Sequence, residues 1–325
     1  MRGIVYKMAR FIKYLIPKLL LQEKKLQRPT HLEKELAYEL KSSFDRMAVT
    51  VSNNKSKAEK VWNNNRRILH NMVLKGDPRK FLRWDVIQAT MFSNKFFHNK
   101  LLKYLKQTDN WESVWKKTVV EIATGHPIPF FLYPISSGTT IQHSYHLCRF
   151  EEETGERFDK IDLIFEFGGG YGNMCRIIHK LNFKGKYIIF DLPEISALQT
   201  YYLKAENIPV CTTPSFSNSD NCVICLSDVG QIQELLSNKV NHNSLFIATW
   251  SLSEMPMNNR ETILNLIHGF NHFLISYQSQ FAKIDNIKFF KEMAERFKNI
   301  KWYAEEMKYI PRHHYLIGSR KLNSN

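Results

Sequence analysis

The residues whose types and spacing best support chemistry are Glu166, Gly168, Gly170 and Gly172, in the run Glu166-Phe-Gly-Gly-Gly-Tyr-Gly172. Glycines at this spacing let backbone approach a ligand closely, and a helix beginning behind them offers unpaired N–H groups. The apolar run Ile161-Asp-Leu-Ile-Phe-Glu-Phe167 before them reads as a strand buried on both faces. Behind them Met174, Ile177, Ile178 and Leu181 recur at helical spacing, so the turn lies between strand and helix. Two cofactor classes use such a turn. The dinucleotide fingerprint counted from Gly168 and Gly170 requires Gly or Ala where Asn173 stands, and counted from Gly170 and Gly172 it falls on Cys175. What remains is acid-x-G-x-G-x-G. A second acid, Asp191, ends the next strand, Gly185-Lys-Tyr-Ile-Ile-Phe-Asp191, 19 residues after Gly172. A carboxylate there can accept hydrogen bonds from both hydroxyls of a ribose.

That spacing resembles motif I of the class I methyltransferases, which implies S-adenosylmethionine as cofactor. On that resemblance Glu166 orders the loop near the amino-acid end of the cofactor, and Gly168, Gly170 and Gly172 accommodate it. Asp191-Leu-Pro-Glu194 resembles the Asp-Leu-Pro segment of small-molecule O-methyltransferases. Ile224-Cys-Leu-Ser-Asp228 reads as strand three, with Asp228 approaching the adenine. Over about residues 125–325 the chain resembles the sugar O-methyltransferase family. Its resemblance is carried by Tyr133-Pro-x-Ser-Ser-Gly138, His143-Ser-Tyr-His146, Glu166 to Gly172, Asp191-Leu-Pro-Glu194, Thr249-Trp-Ser-Leu-Ser-Glu254 and His314-Tyr-Leu-Ile-Gly318. It implies a sugar or glycoconjugate acceptor, as in surface-polysaccharide biosynthesis.

A sugar hydroxyl is a poor nucleophile at neutral pH and needs a general base or a metal. Three side chains are candidates. His143 and His146 share a helix face with Phe150, whereas Ile141, Tyr145 and Cys148 take the opposite face, so that helix reads as a wall between core and cleft. Glu254 follows strand four, where the acceptor should lie. A histidine pair at i, i+3 also suits a divalent metal, but no carboxylate set accompanies it, and no metal site is indicated. His313 and His314 alternate in direction before the last strand, so at most one faces a site; Trp250 and Tyr277 are aromatic surfaces on which a sugar can stack.

These residues need elements to hold them. Residues 1–125 read as a basic, mainly helical accessory region, with helices over 31–47, 56–74, 85–106 and 111–124. A proline-rich connector, Pro127 to Pro134, follows, and Thr139-x-x-Gln142 reads as a capping box opening a helix to Glu153, with Gly155 past its end. After Asp159 strands alternate with helices, adding segments 244–250, 271–277 and 315–319 as strands. The fold class expected for 126–325 is α/β, a Rossmann-like class I methyltransferase sheet with helices on both faces.

Charge is distributed unevenly. Residues 1–110 carry 24 Lys and Arg against 9 Asp and Glu, and the rest of the chain 22 of each, so the whole excess of +15 lies in the N-terminal third. This predicts a basic accessory region, covering the acceptor site or pairing subunits as a homo-oligomer, and not a basic cleft around the chemistry. In residues 2–20, Ile4, Met8, Phe11, Ile12, Leu15 and Leu19 lie opposite Arg2, Lys7, Arg10, Lys13 and Lys18, a pattern suited to contact with an anionic membrane surface. A cytoplasmic enzyme serving a membrane-associated assembly step fits both features.

Nucleic acid is a less favoured acceptor: neither an Asn-Pro-Pro-Tyr signature nor a Pro-Cys pair is present. A non-catalytic partner protein with a degenerate site is opposed by the intact acids and glycines. The five cysteines read as structural thiols; Cys222 and Cys225, three apart on a strand, point to opposite faces.

Overall fold

The structure is a computed structural model and describes residues 26–47, 57–237 and 243–320. The amphipathic segment 2–20 lies outside these residues. No helix among those described is long and apolar enough to cross a membrane.

The N-terminal helices are α1 (His31–Arg46), α2 (Lys57–Lys75), α3 (Asp85–Thr90) and α4 (His98–Lys106). Thr30 and Glu33 cap α1 reciprocally, which satisfies two donors that a helix start leaves open. The single helix expected over 85–106 is two, because residues 91–97 leave helical geometry to reach a later helix. There the Ser93 N–H donates to Thr139 Oγ1 at 2.8 Å, and Asn94 Oδ1 accepts from the Gly138 N–H at 2.6 Å. The helix expected over 111–124 stops at Thr118, after a π-turn at Trp111–Trp115.

Helix α5 (Gly138–Thr154) ends at Gly155 in left-handed geometry, as its sequence predicts. Its cap is Ser137, whose hydroxyl accepts from the Thr140 N–H, and not Thr139, whose hydroxyl is already taken by Ser93. Strand β1 (Leu163–Phe167) follows, then α6 (Asn173–Lys180), β2 (Lys186–Phe190), α7 (Pro193–Ala205), β3 (Cys222–Leu226), α8 (Val229–Ser237), β4 (Ser244–Thr249), α9 (Met257–Ile267), β5 (His272–Gln278), α10 (Asn286–Arg296), β6 (Ile300–Glu306) and β7 (His313–Arg320).

The seven strands form one sheet in the order β3-β2-β1-β4-β5-β7-β6. The first five run parallel, while β7 pairs antiparallel with both β5 and β6. Strand order reverses between β1 and β4, and ligands of open α/β sheets bind beside such a switch point, at the carboxyl ends of the strands. Helices cover both faces and complete a Rossmann-like α/β fold. One apolar cluster holds Ile164, Tyr187, Ile189 and Ile247; the other holds Phe165, Ile188, Phe246 and Phe273. The first also takes in Leu36, Leu40 and Phe44 of α1 and Leu69 and Val73 of α2, so the N-terminal helices share a core with the sheet.

Cys211 and Cys222 are joined by a disulfide, which corrects the reading of all five cysteines as thiols. The cause is local pairing: the Cys211 N–H donates to the Val223 carbonyl at 2.8 Å, which sets residue 211 beside the start of β3. Cys222 and Cys225 do face opposite sides of the sheet.

Candidate active-site cleft

A cleft of about 1210 Å³ opens at the carboxyl ends of β1, β2 and β4. Glu166, Gly168, Gly170, Asp191, His143 and Glu254 all line it. Gly168 has φ +73°, and a Cβ there would overlap Ser251 Cβ, whose residue is held by its hydroxyl donating to the Phe167 carbonyl. Only glycine permits β1 and the turn after β4 to approach this closely. Gly170, at φ +56°, is different: the first atom a Cβ would meet is Met91 Cγ at 3.8 Å, across the cleft. Its bare backbone therefore faces ligand space.

Two carboxylates flank the turn. Glu166 is 2% exposed, and its Oε2 accepts from the Tyr187 hydroxyl at 2.8 Å. Burial, helped by the charge of Asp191, pushes its pKa up to about 8. Asp191 Oδ1 accepts from the Leu192 N–H at 2.8 Å, yet burial holds this carboxyl up at about 7. Gln199, from the face of α7, binds both halves of the site together. Its Nε2 donates to the Gly170 carbonyl at 2.8 Å and to Asp191 Oδ2 at 3.2 Å.

Three expected site residues stand elsewhere. Gly172, at φ +92°, precedes α6 and packs against Leu203 and Tyr202 of α7. Asp228 lies two residues past β3, exposed, with Oδ1 accepting from the Gln231 N–H at 2.9 Å; it caps α8 outside the cleft. The shorter strand explains this: β3 ends at Leu226, so residue 228 already belongs to the next helix start. His146 is fully buried, bonded through Nδ1 to the Tyr315 hydroxyl and packed edge-on against Trp250 at 5.3 Å. Burial drives its pKa well below the usual range, so it is a neutral strut behind the cleft wall.

His143 reaches the cleft, and its protonation geometry is set from behind. Arg176 donates to Asn173 Oδ1 from Nε at 3.0 Å and from Nη2 at 2.6 Å. Because a guanidinium only donates, the Asn173 amide is oriented with Nδ2 toward His143 Nδ1, 3.1 Å away. His143 Nδ1 therefore accepts, and the neutral ring carries its proton on Nε2. Burial first, then Arg176 and His98, lower its pKa to about 3. Arg176 itself is 2% exposed, with Glu121 at 3.5 Å.

Glu254 is half-buried, and burial raises its pKa despite a hydrogen bond with Gln278. Trp250 precedes it in left-handed backbone at φ +67°, and its Nε1 donates to His313 Nδ1 at 2.6 Å. As alternation predicts, only one of the adjacent histidines faces the site: His313 lines the cleft, while His314 stacks on Tyr277 at 5.3 Å. Tyr277 itself is buried against Phe290 and offers no face to the cleft.

Sequence reasoning missed Gln199 and Asn173, which hold cleft residues from behind, and it missed Ser251, Trp62, Asn63, Arg66 and Lys95, which line the cleft. The N-terminal region thus reaches the cleft, where it contributes two cations, Arg66 and Lys95, the first of them paired with Glu194. Asn173 carried the one available signal, as the residue that breaks the dinucleotide pattern. Among the described residues no three His, Cys, Asp or Glu side chains group as a metal site.

No family model and no curated protein matches the sequence. Among solved structures, a TehB-like SAM-dependent methyltransferase from Corynebacterium glutamicum is 14% identical over 54% of this chain and 88% of its own, with a TM-score of 0.37. A precorrin-6y C5,15-methyltransferase from Geobacter metallireducens is 12% identical over 55% and 87%, with a TM-score of 0.35. A mutant of MtNAS in complex with S-adenosylmethionine is 9% identical over 90% and 99%, with a TM-score of 0.36. These are distant likenesses of fold.

Proposed function

We propose that the chain is an S-adenosylmethionine-dependent O-methyltransferase that acts on a sugar hydroxyl. The observation that carries the cofactor reading is the pairing of Gly170, bare toward the cleft, with two carboxylates at the ends of adjacent strands, Glu166 and Asp191. Two acceptor carboxylates beside a bare backbone fit a ligand with a ribose diol at one end and a cationic amino-acid group at the other. Asp191, fixed by Gln199 and the Leu192 N–H, would take the ribose hydroxyls; Glu166 and the glycine turn would hold the amino-acid end. The bound cofactor supplies an electrophilic methyl group on a sulfonium.

The chain's own work is to orient the acceptor and remove a proton. Glu254 is the base this arrangement favours, since its carboxylate lines the cleft beside the mouth of β4 with a raised pKa. Glu254 would take the hydroxyl proton on a carboxylate oxygen as the acceptor oxygen gains the methyl group, the methyl–sulfur bond breaking with its electron pair left on the cofactor's sulfur as a neutral thioether. His143 does not compete for that proton at neutral pH: its cleft-facing nitrogen already bears hydrogen and donates to the acceptor. Trp250, steadied by His313, presents an aromatic surface for a sugar ring. Positioning of this kind supplies much of the rate for in-line displacement at carbon.

The test is calorimetric and then chemical. The protein should bind S-adenosylhomocysteine and not NAD, and should move labelled methyl from S-adenosylmethionine to members of a nucleotide-sugar and oligosaccharide panel. Binding of NAD alone would mark a dehydrogenase, and labelling of RNA in place of sugars would displace the sugar reading.

A further inference from the structure

The site as expected from sequence lacks one wall. Asp191 takes the ribose, so the base extends past it along the cleft, and the acid expected there, Asp228, is turned out to cap α8. On the cleft, the residues flanking Asp191 are Phe190 and Leu192, and α2 of the N-terminal region contributes Trp62, Asn63 and Arg66 to the same lining. Trp62 and Arg66, four apart, share one helix face.

Two contacts locate that face beside the Asp191 segment. Arg66 Nε donates to Glu194 Oε2 at 2.7 Å, an ion pair in which Glu194 is 1% exposed and Arg66 16%. Glu194 lies three residues past Asp191, in the first turn of α7. Trp62 and Arg66 also border a small void of about 10 Å³ together with Ile195, the next residue of α7. Lys204 of α7 pairs with Glu39 of α1 at 2.7 Å, which ties the N-terminal helices to the same element again.

We propose that α2 is the adenine wall of the cofactor pocket, with the Trp62 indole stacking on the base opposite Leu192 and the Arg66–Glu194 pair pinning the helix in place. This rests on the cofactor reading of the glycine turn. It gives the N-terminal region a part in binding: residues more than a hundred positions before Asp191 complete the pocket. Recognition of the base through a π-face and an apolar side chain needs no acid at the end of β3, which is free to cap a helix.

Titration calorimetry on the full chain with S-adenosylhomocysteine and with 5′-methylthioadenosine, which lacks the amino-acid end, tests this. Trp62→Ala should weaken both ligands by about ten-fold or more, as loss of an aromatic–base stack does, whereas Trp62→Phe should stay within a few-fold of wild type. Part of the tryptophan quenching seen on ligand addition to wild type should vanish in Trp62→Phe, a readout that survives even if the alanine variant fails to fold. Equal affinity of wild type and Trp62→Ala for either ligand, or unchanged quenching in Trp62→Phe, overturns the proposal and leaves the cofactor reading standing. Failure of wild type to bind S-adenosylhomocysteine overturns both.

Discussion

Asn173 fixes the tautomer of His143: its amide donates to Nδ1 at 3.1 Å, because Arg176 holds the amide oxygen on the other side. One buried guanidinium thus decides, through one amide, what a histidine can offer to the cleft. The relay makes His143 a donor from Nε2, which separates its role from that of Glu254.

The relay is open to direct observation. In nitrogen-15 spectra at neutral pH, His143 Nδ1 should appear as an unprotonated nitrogen hydrogen-bonded to a donor, with the proton on Nε2. Asn173→Asp replaces that donor by an acceptor, which draws the proton to Nδ1 and raises the pKa of the ring from about 3. An Nδ1-protonated ring in the wild-type protein would sink the assignment.

Glu254 should control turnover without controlling cofactor affinity. Glu254→Gln keeps the shape and loses the base, so kcat should drop by about 10²–10⁴, the usual contribution of a positioned base, with S-adenosylhomocysteine affinity within a few-fold of wild type. Since the base must be ionised and burial raises its pKa, kcat should climb with pH through a range above that of ordinary glutamates. A profile that keeps this limb in Glu254→Gln assigns the proton transfer to another group.

Much of this site is legible in the sequence, and the reason is physical. Parallel strands covered on both faces read as continuous apolar runs, so β1, β2, β4 and β5 stand out. Strand β6 does not, because it is an edge strand whose exposed Lys301, Ala304 and Glu306 interrupt half-buried residues. The glycine turn and Asp191 follow from spacing, since each ends a strand already identified. Asp228 shows the limit of that logic: an acid near a strand end is visible, but whether it faces the cleft or caps a helix depends on where the strand stops. Trp62 and Arg66 were hidden for another reason, as only tertiary packing of α2 on α7 brings them to residues around 190.

Proton release should accompany cofactor binding. Asp191 is held up at about 7 and Glu166 at about 8, so without ligand both keep protons that ordinary carboxylates lose near pH 4. For these raised carboxyls the folded chain binds more protons than the unfolded one, and their contribution to stability declines as pH rises from about 4 to 8. Ribose hydroxyls donate to the ionised form of Asp191, so binding expels its proton, and affinity should rise between about pH 6 and 8. Calorimetry in buffers of differing ionisation heat measures the release directly. Asp191→Asn should remove most of it; a heat independent of buffer in the wild-type protein would show that neither carboxyl changes state.

Gly168 and Gly170 are two residues apart but should fail in different ways when substituted. At Gly168 a Cβ overlaps Ser251 in left-handed backbone, so Gly168→Ala strains the join between β1 and the turn after β4. That change should cost about 2–4 kcal/mol of unfolding free energy, from overpacking together with the backbone penalty. Asparagine tolerates left-handed backbone, and at Gly170 its side chain has the cleft to enter. Gly170→Asn should therefore unfold within about 1 kcal/mol of wild type while losing most of its affinity for S-adenosylhomocysteine. Denaturant titration and calorimetry on the two variants separate the effects. The distinction fails if Gly170→Asn binds as wild type does, since the bare backbone facing Met91 would then not be where the cofactor lies.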